Sequence, residues 1–238
     1  MHLEPIRLAD APCLLCYTSS PQEAARRGTI LYYHGLSANK EANSNEYDVL
    51  TRAGFLVVGV DNAGHGERRL EDFDERLRDD RPDFESNFLN LVRETALETP
   101  TIINALFTQN IAVEGRLGIA GWSMGGYVTY RALLEERRFS AAAVIVGSPE
   151  WLLPWDDSPH KHPQAFFPTA LLSQVGARDD VVPAQAARDF HDVLTPYYTS
   201  KPERLKLVTY PNMQHDPNAE EAHAIQTEMV AWFERFLG

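Results

Sequence analysis

Short apolar runs alternate with amphipathic segments from one end of the chain to the other. The apolar runs that most favour strands cover residues 29–33, 55–60, 116–120, 141–146, 171–175 and 205–210. Most of them are continuously apolar, which is typical of parallel strands that are covered on both faces. Two earlier runs, around Ile6 and over residues 13–17, predict additional antiparallel edge strands.

The segments between these runs carry helical periodicity. Apolar side chains at positions 84, 88, 91 and 92, with Thr95, fall on one helical face. Pro100 is expected to break that helix or to start a second one over residues 102–107. Further helices are predicted over residues 127–135, 184–194 and 220–236. This alternation predicts one α/β domain over residues 1–238, with a mostly parallel sheet and helices on both faces.

Two segments do not follow either period. Residues 66–82 are densely charged, which indicates solvated surface, whereas residues 148–168 are rich in Pro, Trp and Phe and follow a strand directly. In an open α/β sheet, segments that leave the carboxyl ends of strands border the ligand crevice. We therefore expect Trp151 and Trp155, together with Trp122, to line a substrate pocket.

Charge and composition narrow the classes of partner. The chain has 22 Lys and Arg against 34 Asp and Glu, a net charge of −12, so neither nucleic acid nor an anionic membrane is an expected partner. It contains no apolar run of membrane-spanning length. The opening residues MHLEPIRLAD carry Glu4, Arg7 and Asp10 and show no secretory signal, which predicts a cytoplasmic protein.

Neither the cysteines nor the histidine pairs indicate a cofactor. Cys13 and Cys16 stand three residues apart on a predicted strand, so they should point to opposite faces and act as small packing residues. His160 and His162 lack a third ligand at a suitable spacing, and His65 is interpreted as part of a turn. No metal or organic cofactor is expected.

The stretch GWSMGG, residues 121–126, joins a predicted strand to a predicted helix. A Gly-x-Ser-x-Gly pattern at such a junction predicts a nucleophile elbow, in which Ser123 has strained backbone angles and an exposed hydroxyl. The N–H group of Met124 could then bind an oxyanion, and a second donor is expected from Leu36, which follows an early strand. His34, next to it, is interpreted as a residue that shapes this loop.

A serine nucleophile needs a base and an acid further along the chain. His191 and His223 lie within helical patterns, where surface positions are expected, whereas His215 lies in a Pro- and Asn-rich loop after a strand. His215 is therefore the predicted base. For the acid the residues themselves favour Asp179 only slightly over Asp180, and Glu150 is a third candidate.

Taken together, these motifs resemble the α/β-hydrolase fold family, specifically small capless serine esterases grouped with dienelactone-hydrolase-like and prolyl-oligopeptidase-like catalytic domains. The resemblance rests on YYHGLSANK, VDNAGHGER, GWSMGG, GARDDVVP and MQHD, and covers nearly the whole chain. It implies a three-layer α/β-hydrolase fold. The family's acid pattern, Gly-x-x-Asp-x-x-Val-Pro, matches at Asp179, and its histidine matches at His215.

The resemblance implies a serine hydrolase that cleaves small carboxylic esters through an acyl-enzyme. Serine replaces the cysteine nucleophile of dienelactone hydrolases, and the chain is too short for the propeller domain of prolyl peptidases. An amidase or peptidase with the same triad and a catalytically silent binding protein are the alternative hypotheses.

Overall fold

The computed structural model describes all 238 residues. Eight strands form one sheet in the order β1-β2-β4-β3-β5-β6-β7-β8. The strands are β1 His2–Leu8, β2 Ala11–Tyr17, β3 Thr29–Tyr33, β4 Leu56–Val60, β5 Leu117–Trp122, β6 Phe139–Ile145, β7 Ala170–Gly176 and β8 Leu205–Tyr210. The pairs from β4 onward to β8 are all parallel, which confirms the predicted architecture.

The first two strands are the antiparallel part of the sheet. β1 pairs with β2, and β2 pairs in turn with β4, both antiparallel. Of these two strands only β1 lies at an edge of the sheet, because β2 has neighbours on both sides, and β8 forms the other edge. Cys13 and Cys16 lie on opposite faces of β2 and pack in different core clusters. Burial raises the pKa of both thiols to about 12, so they are unreactive packing residues.

Seven α-helices cover the sheet: α1 Pro21–Arg27, α2 Ser44–Arg52, α3 Phe73–Arg76, α4 Phe84–Thr108, α5 Met124–Glu135, α6 Gln185–Leu194 and α7 Ala219–Leu237. α4, α5 and α6 contribute to one core cluster, and α2 and α7 contribute to a second. Successive side chains of β3 point to opposite faces of the sheet, which explains why two cores form. Ile30 and Tyr32 face the second cluster, and Leu31 and Tyr33 face the first.

The expected interruption at Pro100 is wrong. α4 runs without a break from Phe84 to Thr108. A proline inside a helix costs about 3 kcal/mol through the lost hydrogen bond and the clash of its ring. Buried residues on both sides of the proline, among them Ala96 and Ile102, belong to the same core cluster, and their packing on one sheet face favours the continuous helix.

The expected surface position of His191 is also wrong. His191 lies on α6 but is buried, and its Nε2 is 2.8 Å from Oγ of Ser173 on β7. The hydroxyl of Tyr130 is 2.7 Å from the same Ser173 oxygen. Burial lowers the pKa of His191 to about 4. This trio is a satisfied polar network within the core.

The two irregular segments differ from each other. In residues 66–82 most charged side chains are exposed as expected, but the segment forms a 3-10 turn and the short α3, with Phe73 buried. Residues 148–168 form a long loop after β6, with two 3-10 turns. Asp157 of that loop receives a two-pronged contact from Arg93 of α4, with distances of 2.7 and 2.8 Å. None of the helices combines the length and apolar character needed to cross a bilayer.

Candidate active site

The GWSMGG turn lies between β5 and α5, where Ser123 has φ of 54° and ψ of −115°. Positive φ is rare for residues other than glycine and has to be imposed by the surroundings. A Cβ on Gly121 would lie 2.0 Å from the Gly125 oxygen, and one on Gly125 would lie 2.0 Å from the Tyr33 oxygen. Only glycine allows β5, α5 and β3 to pack this closely around Ser123.

Three polar side chains converge at the carboxyl ends of the parallel strands. The Oγ atom of Ser123, after β5, is 2.9 Å from Nε2 of His215, which follows β8. Nδ1 of His215 is 2.9 Å from Oδ2 of Asp179, which follows β7. The side chain of Asp179 is fully buried, whereas that of His215 is 17% exposed. The histidine thus lies between a partly exposed serine and a buried carboxylate.

The other acid candidates lie outside this chain of contacts. Asp180 is exposed and Glu150 makes no hydrogen bond to His215. The second carboxylate oxygen of Asp179 accepts the N–H groups of Val181 and Val182 at 3.0 and 2.8 Å. These two bonds hold the carboxylate in one orientation, with Oδ2 facing the imidazole.

The acid loop and the histidine loop are joined directly to each other. Ala177 and Arg178 donate backbone hydrogen bonds to Tyr210 and Met213, at 2.9 and 3.0 Å. A Cβ on Gly176 would lie 2.5 Å from the Met213 oxygen, so glycine is required for this approach. These contacts between the two loops fix the position at which His215 meets Asp179.

Two backbone N–H groups near Ser123 have no backbone acceptor. Met124 is the first residue of α5, where N–H groups have no partner within the helix. Leu36 follows β3, and its N–H donates to no backbone carbonyl. A Cβ on Gly35 would lie 3.7 Å from Cβ of Ser123, which places this loop beside the serine. Together they form a pair of donors suited to a negatively charged oxygen.

His34 holds the Leu36 loop against the loop that follows β4. Its Nδ1 is 2.8 Å from the Gly35 carbonyl, and its Nε2 is 3.0 Å from the Asn62 N–H. The Asn62 side chain donates in return to the His34 carbonyl at 2.9 Å. Burial lowers the pKa of His34 to about 4, so the ring is neutral and can donate at Nδ1 and accept at Nε2.

A buried ion pair supports the same loops from behind. Asp61 is fully buried and accepts from the backbone N–H of Lys40 at 2.8 Å and from its ammonium group at 3.2 Å. The backbone N–H of Glu67 donates to the same carboxylate at 3.0 Å. Sequence reasoning missed Lys40, Asp61 and Asn62. The signal that could have found them is the position of VDNAGHGER at the end of a strand adjacent to β3.

The three tryptophans lie in different places. Trp151 is one of the residues around a cavity next to the acid loop. Trp155 lies under the guanidinium group of Arg93, 4.2 Å from it, and Trp122 packs against the core cluster of α2 and α7. Neither Trp122 nor Trp155 is among the residues that line the cavity. No three His, Cys, Asp or Glu side chains converge as they would around a metal ion.

A mostly parallel sheet, helices on both faces and a Ser–His–Asp chain at the strand ends define a hydrolase of the α/β type. The chain belongs to the alpha/beta hydrolase family, whose family model matches residues 34–233. Hydrolase is therefore its enzyme class.

Two relatives and two solved structures show how far the likeness extends. The chain is 27% identical to YitV of Bacillus subtilis (strain 168), provisionally named an esterase, over 87% of this chain and 89% of that protein. It is 24% identical to the esterase YjfP of Escherichia coli (strain K12), over 95% and 97% of the two chains.

Among solved structures, TT1662 from Thermus thermophilus superposes with a TM-score of 0.84 at 20% identity, covering 99% of this chain and 98% of that one. A Klebsiella pneumoniae protein provisionally named a dienelactone hydrolase superposes with a TM-score of 0.74 at 15% identity, covering 99% of each chain. The predicted resemblance to dienelactone-hydrolase-like proteins is confirmed.

Proposed function

We propose that the protein is a serine carboxylesterase that cleaves small esters with apolar acyl groups. The proposal rests above all on the geometry of one chain of contacts, in which His215 lies 2.9 Å from both the Ser123 hydroxyl and the Asp179 carboxylate. Esterase is also the word used in the names of both relatives, YitV and YjfP.

In this mechanism the Ser123 oxygen attacks the ester carbonyl carbon while Nε2 of His215 takes the hydroxyl proton. The carbonyl oxygen becomes an oxyanion, which accepts hydrogen bonds from the N–H groups of Leu36 and Met124. Collapse of this intermediate breaks the ester C–O bond, and the protonated imidazole gives its proton to the departing alcohol. The product is an acyl group on Ser123.

Water completes the cycle by the reverse sequence of proton transfers. His215 takes a proton from the attacking water and returns it to the Ser123 oxygen as the acid leaves. Asp179 remains ionised throughout and keeps Nδ1 of the imidazole protonated, so Nε2 is free to act as a base. The protein needs no bound metal or organic cofactor for these steps.

Covalent labelling tests the proposal directly. A fluorophosphonate probe should add to one residue of the protein, and peptide mass spectrometry should place the adduct on Ser123. The Ser123→Ala variant serves as the matched control and should remain unlabelled. Labelling elsewhere, or equal ester hydrolysis by that variant, would contradict the assignment.

A panel of p-nitrophenyl esters of increasing acyl length then defines the apolar preference. We expect the ratio kcat/KM to be highest for short acyl chains and to fall for long ones. The p-nitroanilide of the best acyl group, compared with its p-nitrophenyl ester, tests amide cleavage. Comparable rates on the ester and the amide would favour an amidase instead.

A further inference from the structure

A cavity of about 320 Å³ lies next to the loop that carries the proposed acid and is not used by the mechanism above. It opens between α5, the start of the 148–168 loop and the loop that carries the proposed acid. Its lining includes Tyr127, Ser148, Glu150, Trp151, Val181 and Pro183.

Two contacts connect this cavity to the reacting groups. The 148–168 loop is entered through Gly147, and a Cβ there would lie 3.0 Å from the Tyr127 nitrogen, in the first turn of α5 after Ser123. On the opposite wall, the Val181 N–H donates to the carboxylate of Asp179. These contacts join two walls of the cavity to the segments that carry Ser123 and Asp179.

Glu150 is the one charged residue in the cavity wall. Its side chain is exposed and takes part in no ion pair and no hydrogen bond. The two hydrogen bonds between Glu150 and Ser148 involve only the backbone N–H and carbonyl of Glu150. Arg93, whose guanidinium lies 6.0 Å from the Trp151 ring, is already paired with Asp157. The negative charge of Glu150 is thus not cancelled by any basic side chain.

A second carboxylate acts on Tyr127. Glu85, in the first turn of α4, is partly buried and likewise has no hydrogen bond or ion pair. Burial raises the pKa of Glu85, and burial followed by the charge of Glu85 raises the pKa of Tyr127. The region around the Tyr127 ring therefore combines aromatic surface with unpaired negative charge.

Aromatic rings beside a free carboxylate form a recognition site for a cation on an apolar frame. We propose that the cavity binds a positively charged nitrogen, so that a small ester with a protonated amine or quaternary ammonium group on its apolar frame is preferred over its neutral isostere. Glu150 is the specificity-determining residue, with Tyr127 and Trp151 as aromatic walls. This inference rests on the proposed esterase function of Ser123.

Two pairs of isosteric esters test it, with the cation in either half of the molecule. Butyrylthiocholine is compared with 3,3-dimethylbutyl thiobutyrate, and p-nitrophenyl trimethylammonioacetate is compared with p-nitrophenyl 3,3-dimethylbutyrate. The two esters of each pair differ at one atom, which is a quaternary nitrogen in one ester and a carbon in the other. The measured quantity is the cationic-to-neutral ratio of kcat/KM, compared between variants so that intrinsic ester reactivity cancels.

We expect Glu150→Gln to lower this ratio about tenfold in at least one pair, as loss of one charge-assisted contact would. Glu150→Lys should lower it further. The matched control is Glu114→Gln, which removes an exposed carboxylate just before β5, at the amino ends of the parallel strands and away from the cavity, and should leave the ratio unchanged.

A fall of less than about threefold in both pairs, or an equal fall in the Glu114→Gln control, overturns the inference. In that case hydrolysis of the neutral esters by the wild type, absent in Ser123→Ala, would still support the proposed function. If the wild type cleaves neither member of either pair and Ser123 is not labelled, the proposed function itself fails.

Discussion

Two Ser–His contacts of almost equal length lie in different regions of this molecule, and their surroundings differ in every other respect. Ser123 is 2.9 Å from His215 at the strand ends, and Ser173 is 2.8 Å from His191 inside the core. The first histidine is partly exposed and its second nitrogen meets a carboxylate. The second is buried, and its serine meets the hydroxyl of Tyr130.

The comparison shows that distance alone does not make a catalytic pair. Ser173 sits within a regular strand, where its oxygen has two protein partners and no route to a substrate. Ser123 sits in a turn with positive φ, beside N–H groups that have no backbone acceptor. A reactive hydroxyl needs access, an oriented base and donors for the developing charge, and only the first pair has all of these.

Replacing each serine by alanine distinguishes the roles of the two pairs, and the loss of kcat in one variant is the largest effect that we expect. Ser123→Ala should lower kcat for p-nitrophenyl butyrate by about 10⁴-fold or more, with little change in the free energy of unfolding. Ser173→Ala should keep its activity but lose about 1–3 kcal/mol of stability, because His191 and Tyr130 lose a buried partner.

Ester assays on both variants measure kcat, and urea unfolding measures the free energy of unfolding. Comparable loss of activity in the two variants, both folded, would mean that the core pair also takes part in the reaction.

The carboxylate behind His215 gives the next largest effect. Asp179→Asn should lower kcat by about 10³- to 10⁴-fold, because an amide cannot stabilise the imidazolium that forms. The neighbouring Asp180→Asn is the matched control, since Asp180 is exposed, and it should change kcat less than about twofold. Steady-state kinetics on the two variants decide the question. The opposite ranking would assign the acid to Asp180.

These two aspartates also show where sequence reasoning stops. Both follow a strand end, and periodicity gives no reason to prefer one. In the structure the difference comes from the loop backbone, which turns so that two N–H groups bind one oxygen of Asp179 while Asp180 points outward. Such a turn is set by contacts between loops, so a resemblance to known sequences was needed to choose.

The serine turn was predictable for the opposite reason. Its close backbone contacts exclude a Cβ at Gly121 and Gly125, and that requirement leaves glycines at a fixed spacing around Ser123. The alternation of helices and strands was predictable in the same way, from patterns within each element.

His191 and Pro100 were not predictable from local pattern. The amphipathic helix around His191 does not reveal that Ser173, 18 residues earlier on β7, provides a buried partner. Pro100 usually ends a helix, but tertiary packing of α4 decides otherwise. Local signals failed at both places because long-range contacts determine the structure there.

Two buried histidines, His191 and His34, predict an effect of pH on stability. Burial lowers the pKa of His191 and of His34 to about 4, against 6.5 for an unperturbed histidine. As the pH falls below 6.5, the unfolded chain binds protons that the folded protein excludes. The free energy of unfolding should therefore fall between pH 6.5 and 4, by at most about 3 kcal/mol for each histidine.

The His191→Gln variant isolates the contribution of the core pair. Gln can still contact Ser173 but does not titrate, so the variant should lose less stability than the wild type as the pH falls from 7 to 5. Urea unfolding at several pH values gives the difference. The control His223→Gln changes an exposed histidine and should follow the wild type. A pH-independent difference between His191→Gln and the wild type would contradict the argument.

A third Ser–His contact gives the smallest expected effect and tests whether the comparison holds in general. Ser158 Oγ is 2.8 Å from Nδ1 of His160 in the 148–168 loop, and this buried oxygen also accepts the backbone N–H of Trp151 at 3.0 Å. This pair has no carboxylate partner, and the backbone φ of Ser158 is negative, unlike that of Ser123.

We expect His160→Gln to change the free energy of unfolding by about 1 kcal/mol or less, because Ser158 keeps its bond to Trp151. Turnover of neutral esters should stay within about twofold of the wild type, since the loop is also held by the contact of Asp157 with Arg93. Arg93→Lys, which replaces the two-pronged contact by a single one, is the informative companion. A loss of turnover in His160→Gln larger than in Arg93→Lys would show that this third pair, and not the ion pair, sets the position of the loop beside the nucleophile.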